Sequence, residues 1–173
     1  MRLLDDAVAA AAEELSGIPV IDEAPSGCTL TALLLGDNQI AIAHVGDSRA
    51  HLVRDGRLVR LTRDHTEVQT LLDEGRLTDD EARAQEGPAL LNRALVQGMS
   101  AMPDISVHAT RPGDRFILTT DGVHAVLQPA ELAALLVQEV PPQEVVAAVE
   151  EAVQATGAPD NYAVLAIEVR GTD

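Results

Sequence analysis

The chain has 173 residues, 46% hydrophobic and 1% aromatic, with 12 basic against 28 acidic side chains and a formal net charge of −16. Such length and apolar content predict one globular domain spanning residues 1–173 and exclude a disordered chain. The charge excludes nucleic acid and anionic membranes as partners, and it opposes phosphorylated substrates unless a bound metal offsets the field locally. The lone Cys28 excludes an internal disulfide. No targeting stretch opens the chain and no apolar run reaches membrane-spanning length, so a cytoplasmic protein outside the membrane is expected.

Asp5 to Leu15 is Ala- and Glu-rich and predicts a helix, stopped by Gly17 and Pro19. Val20 to Ser26 reads as a polar connection. Thr29–Leu35 and Gln39–Val45 then read as strands about the turn Gly36-Asp37-Asn38. Arg49–Arg54 and Arg57–Leu61 follow, joined by Asp55-Gly56, a strong two-residue hairpin signal. These four strands predict an antiparallel meander. Glu67–Glu74 is a short helix, and Thr78 with Glu81 fits a capping box for a second one. Ile105–Thr110 and Arg115–Thr120 are strands around Arg111-Pro112-Gly113-Asp114. Pro129–Glu139 and Pro142–Ala155 are helices with Pro at the first turn, and Tyr162–Val169 is the last strand. Strands with inserted helices, then strand-helix-helix-strand, predict the α+β class with mainly antiparallel sheet. With one Phe and one Tyr in the whole chain, the core must be built from Leu, Val, Ile and Ala.

Three aspartates share one context. Asp47 stands in Gly46-Asp47-Ser48 after an apolar strand, Asp121 ends Phe116–Thr120, and Asp160 turns into the last strand. Each taken singly is a good turn residue. Their shared position at strand ends predicts convergence on one site, and clustered carboxylates chiefly hold a hard cation. The five histidines, His44, His51, His65, His108 and His124, contain no helical i, i+4 pair, so zinc is not expected. His124 reads as a partly buried structural residue, and Cys28 as a buried small one.

Several stretches match a known pattern in order: Ser26-Gly27-Cys28-Thr29, Val45 to Ala50, Leu61 to His65, Asn92 to Leu95, Gly113-Asp114-Arg115 through Thr120-Asp121-Gly122, and Pro159-Asp160-Asn161. Over about residues 26 to 169 the chain resembles the type 2C (PPM) metal-dependent protein serine/threonine phosphatases. Asp73 to Thr78 is similar to the flap-like insert of bacterial members. The resemblance implies a β-sandwich of two antiparallel sheets flanked by helices, and a bacterial signalling enzyme that dephosphorylates phosphoserine and phosphothreonine proteins. Two or three Mg²⁺ or Mn²⁺ ions would activate the attacking water, with no catalytic side chain beyond the ligands. By resemblance Asp121 and Asp160 are ligands of the metal core, with Gly122 and Asn161 adjacent. Asp47 serves a third, more weakly held ion together with Asp121. Arg49 and Arg93 support the carboxylates as internal partners.

The chain departs from this pattern at its start. The family's opening strands carry an acidic pair and end in Asp-Gly-x-Gly-Gly, whereas Asp-Gly here occurs only at Asp55-Gly56 and Asp121-Gly122. An N-terminally truncated domain is therefore expected, with an incomplete metal site and either exposed apolar surface or unpaired strand edges. Asp5, Asp6, Asp22 and Glu23 are not expected to replace the missing ligands, since the first pair sits in a predicted helix and solvates it. Two further readings follow: a catalytically inactive phosphatase-like binding or regulatory module, and a chain whose missing strands come from a partner.

Overall fold

The structure, a computed structural model, describes residues 2–19, 25–85, 89–99 and 102–171. In chain order the elements are α1 (Arg2–Ser16), β1 (Gly27–Cys28), β2 (Leu30–Leu35), β3 (Gln39–Val45), β4 (Arg49–Arg54), β5 (Arg57–Arg60), α2 (Glu67–Asp73) and α3 (Asp79–Arg83). They continue with β6 (Leu95–Val96), β7 (Asp104–Ala109), β8 (Arg115–Thr119), α4 (Asp121–His124), α5 (Pro129–Leu136), α6 (Pro142–Ala155) and β9 (Val164–Glu168). The α+β class is as expected. Most of the connection expected at Val20–Ser26, including Asp22 and Glu23, lies outside the described residues, as does part of the Glu86–Gly98 stretch.

The chain forms two compact units. The first comprises the residues up to Leu35, Ala41–Asp47 and Arg63–Val107. Its core packs Leu4, Val8 and Leu15 of α1 with Ala43, Val45 and Leu95. The 4- and 7-residue spacing of those α1 side chains puts them on one face of the helix. Between the buried positions, Asp5, Asp6, Glu13 and Glu14 are exposed, in line with the solvating role expected of Asp5 and Asp6. β1 pairs antiparallel with β6, Gly27 opposite Val96 and Cys28 opposite Leu95. Two short helices follow, each started by a threonine. Thr66 accepts from the Gln69 N–H at 3.1 Å. Thr78 and Glu81 form the expected capping box, with the Thr78 N–H donating to Glu81 at 2.8 Å.

The second unit holds Gly36–Ile40, Ser48–Thr62 and the residues from His108 onward. Its sheet has the order β5-β4-β8-β9. All three pairings are antiparallel, with Leu52 opposite both Val59 and Phe116, and Phe116 opposite Ile167. Strand alternation puts Val53, Ile117 and Ala166 on one face. There they pack with Val145, Val149 and Val153 of α6 and Leu132 and Leu136 of α5. All three α6 valines are 0% exposed, each contributing about 1.5–3 kcal/mol of burial. Leu, Val and Ile dominate this core, as the composition required, while the single Phe116 of β8 is also buried, at 1% exposure.

The expected four-strand meander is not formed. β3 lies between β2 and β7, whereas β4 lies between β5 and β8. Gly46, at a φ of 109°, lies in the turn between β3 and β4, and those two strands belong to different sheets. The hairpin at Asp55-Gly56 does form, with both residues at positive φ. Cys28, expected to be buried, is exposed in the two-residue strand β1. β9 begins at Val164 rather than Tyr162.

One ion pair fastens the turn that leads into β8. Asp114, 2% exposed, accepts from Arg54 Nε at 2.7 Å, from Arg54 Nη2 at 2.6 Å and from the Arg111 N–H at 2.7 Å. Burial alone would raise the Asp114 carboxyl. The hydrogen bonds and charge of Arg54 and the Arg111 N–H outweigh it, so its pKa lies below the ordinary value. A carboxylate whose folded pKa is depressed stabilises the fold above its unfolded pKa of about 3.9. That contribution disappears as pH falls through the lower, folded value. Urea midpoints measured from pH 6 downward are expected to decline below about pH 5, and less steeply in Asp114→Asn than in the parent.

Candidate metal centre

Within the second unit, Thr120, Asp121, Asp160, Asn161, Tyr162 and Ala163 line an open cleft of about 410 Å³. Asp121 reaches it because β8 stops at Thr119 and the chain turns at once into the single-turn helix α4. An acidic residue in a helix's first turn is favoured by the unpaired N–H groups there. Asp160 reaches the cleft from the loop that follows α6. Thr120 ties the two walls together: its N–H donates to the Ala163 carbonyl at 3.1 Å, and its Oγ1 accepts from the Ala163 N–H at 2.9 Å.

The walls also touch at Gly122. A Cβ there would lie 2.2 Å from the Asn161 carbonyl oxygen and 3.1 Å from Tyr162 Cβ. The glycine that follows Asp121 is thus required by the close approach of the Asp160-Asn161 backbone.

Both carboxylates are exposed, and each uses one oxygen locally. Asp121 Oδ1 accepts from the Gly122 N–H at 3.0 Å, and Asp160 Oδ1 accepts from the Asn161 N–H at 2.7 Å. Their Oδ2 atoms have no protein partner among the described residues. The donor set is oxygen only, the chemistry of Mg²⁺ or Mn²⁺ rather than of zinc. Among the described residues no three His, Cys, Asp or Glu side chains converge as metal ligands. Two carboxylates still fit a hexacoordinate ion of this class, which keeps several waters and takes its other oxygens from a phosphate group.

The remaining candidates lie elsewhere. Asp47 belongs to the first unit, 7% exposed, in the turn that ends β3. Arg49 opens β4 in the second unit, opposite Thr119. Arg93, in the first unit, pairs with Asp104 at 2.5 Å and donates to the Met102 carbonyl at 3.3 Å. Arg93 therefore pairs with Asp104, which was not among the candidates, rather than with one of the three aspartates it was expected to support. His124, half-buried, ends α4. Sequence reasoning also missed Thr120, Tyr162 and Ala163 as cleft residues. Thr120 directly precedes the Asp-Gly pair, and that adjacency is the one signal that points to it.

Comparison with known proteins gives a consistent picture. The family pattern for protein phosphatase 2C matches residues 2–86. The serine/threonine protein phosphatase PstP of Mycobacterium tuberculosis is 40% identical over 144 residues, covering 83% of this chain and 27% of that protein. The chain therefore spans about a quarter of the length of the first curated relatives it matches. The crystal structure of the M. tuberculosis phosphatase PstP/Ppp superposes with a TM-score of 0.83 at 34% identity, over 94% of this chain and 68% of the other. The PstP catalytic domain in complex with two manganese ions superposes at 0.81 and 36% identity, over 97% of this chain and 70% of the other. With that identity over more than two thirds of a solved catalytic domain, and with Asp121 and Asp160 facing one cleft, the chain belongs to the type 2C (PPM) family of metal-dependent protein serine/threonine phosphatases.

Proposed function

We propose that the chain contributes to a metal-dependent phosphatase that hydrolyses phosphoserine and phosphothreonine in proteins. The observation that carries this reading is the meeting of Asp121 and Asp160 at one cleft, each with an oxygen left over. Those oxygens would hold Mg²⁺ or Mn²⁺, and Asp47 would serve a further, more weakly held ion. When bound, such ions polarise the phosphoryl oxygens and lower the pKa of a coordinated water. The chain's own contribution is placement. The Gly122 and Asn161 N–H groups orient the two carboxylates, and Thr120 holds their backbones at a set separation. The openness of the cleft suits a phosphorylated side chain presented on a protein. At a net charge of −16, bound cations are what would make a phosphate approach favourable.

The test is Mn²⁺-dependent phosphate release from a phosphothreonine peptide, paired with Mn²⁺ titration calorimetry. Asp47→Ala is expected to reduce turnover several-fold and to spare the tighter Mn²⁺ event. Equal losses in Asp47→Ala and Asp121→Asn would refute the division into core and accessory ions.

The lack of a three-ligand cluster among the described residues favours a second reading, a non-catalytic module that binds a phosphoprotein or another partner. Partner binding with neither Mn²⁺ uptake nor hydrolysis would establish it. A partner that supplies strands is a related proposal. It is supported by β9, which ends its sheet's order with Leu165 53% exposed. A well-folded monomer by size-exclusion with light scattering would count against it. A cytoplasmic location is proposed on the single, exposed and unpaired Cys28.

A further inference from the structure

The first unit contains a polar chain, running from the buried His65 out to the exposed Asp104, that the proposed metal chemistry does not use. His65, 0% exposed, grips Gly46 on both sides. Its backbone N–H donates to the Gly46 carbonyl at 2.8 Å, and its ring Nδ1 accepts from the Gly46 N–H at 3.0 Å. A ring nitrogen that accepts from an N–H carries no proton, so the proton sits on Nε2. Nε2 donates to Asp104 Oδ2 at 3.0 Å, and Asp104 Oδ1 accepts from Arg93 at 2.5 Å. The far face of the ring is packed by His44, with centroids 4.7 Å apart. His44 is itself held by Thr31 Oγ1 at 2.9 Å and the Arg63 carbonyl at 3.0 Å.

Gly46 needs such a grip. It sits at a φ of 109°, and a Cβ would fall 2.3 Å from Thr29 Cγ2. With no side chain of its own, its conformation is set by backbone bonds, and those two go to His65. Asp47 and Ser48 follow directly, both buried. We propose that His65 is a positioning residue: through Gly46 it sets the Gly46-Asp47-Ser48 turn and hence the Asp47 carboxylate, while Asp104 and Arg93 fix the ring. The consequence for metal rests on the reading of Asp47 as a ligand, whereas the positioning of the turn does not.

Two substitutions separate the ring's two jobs. In His65→Asn the amide oxygen occupies the Nδ1 place and can accept from Gly46. In His65→Gln the amide nitrogen reaches the Nε2 place and can donate to Asp104. Amide hydrogen exchange at Gly46, read by NMR in the metal-free chain, is expected to stay within about twofold of the parent in His65→Asn and to accelerate about tenfold in His65→Gln. Equal acceleration in both, at matched urea midpoints, would show a mere core filler and overturn the proposal. So would ring ¹⁵N shifts in the unsubstituted chain that place the proton on Nδ1, a measurement that stands even if a variant fails to fold. If the Gly46 result holds while Asp47→Asn leaves Mn²⁺ binding unchanged, the positioning survives and only the role of Asp47 as a ligand falls.

Discussion

Asp121→Asn is expected to remove the tighter Mn²⁺ event in calorimetry and to lower any Mn²⁺-dependent phosphate release by at least the roughly 10–100-fold typical of losing a residue that merely supports a metal ligand. The amide keeps the size of the carboxylate and can keep the bond from the Gly122 N–H. It loses the charge that would balance a divalent ion, and one of the two carboxylates that line the cleft among the described residues. Because Asp121 is exposed and its substitution leaves the core untouched, the unfolding free energy from urea titration should stay within about 0.5 kcal/mol of the parent. Unchanged Mn²⁺ affinity in this variant would sink the proposed centre.

Gly122→Ala should also abolish Mn²⁺ binding, by a different route. One methyl group must displace the Asn161 carbonyl, 2.2 Å from its ideal position, and neither partner is a flexible side chain. Gly122 is buried, so α4 and the Asp160 loop have to separate or the backbone has to distort. Overpacking of this kind costs typically about 1–3 kcal/mol. The expected signature is a lowered urea midpoint together with lost Mn²⁺ binding, where Asp121→Asn shows only the latter. A Gly122→Ala chain that retains both parental stability and Mn²⁺ affinity would mean that the two walls are not held as the structure places them.

Most of the second unit was legible because its signals are local. The helix Pro142–Ala155 announces itself by valines spaced four apart and by Pro at its start, and it forms over those residues. The hairpin at Asp55-Gly56 and the capping box at Thr78 are likewise short-range chemistry, read from two and four consecutive residues. The failures come where partners are distant in sequence. The meander failed because β4 takes β8 as its neighbour, more than 60 residues on, and not β3 beside it. Cys28 was misjudged because nothing in its own segment shows that the two-residue strand it occupies would leave it exposed. Asp104 stands just before the strand read from Ile105 and nothing local singled it out, yet it receives both His65 and Arg93.

From the sequence alone, the composition determined a core built chiefly from Leu, Val, Ile and Ala, with Phe116 its one large aromatic, the charge set a field that opposes phosphate, and the ordered motifs determined the family. Those are properties of residue type and of short spacing, which the unfolded chain already carries. Only the tertiary structure decided which aspartates share a cleft. Asp121 and Asp160 are 39 positions apart, and they meet because Thr120 bonds Ala163 and because Gly122 has no side chain to hold Asn161 away. It likewise decided that His65 grips the Gly46 turn, a contact across 19 positions in which the Gly46 N–H meets the imidazole ring and the Gly46 carbonyl meets the His65 N–H.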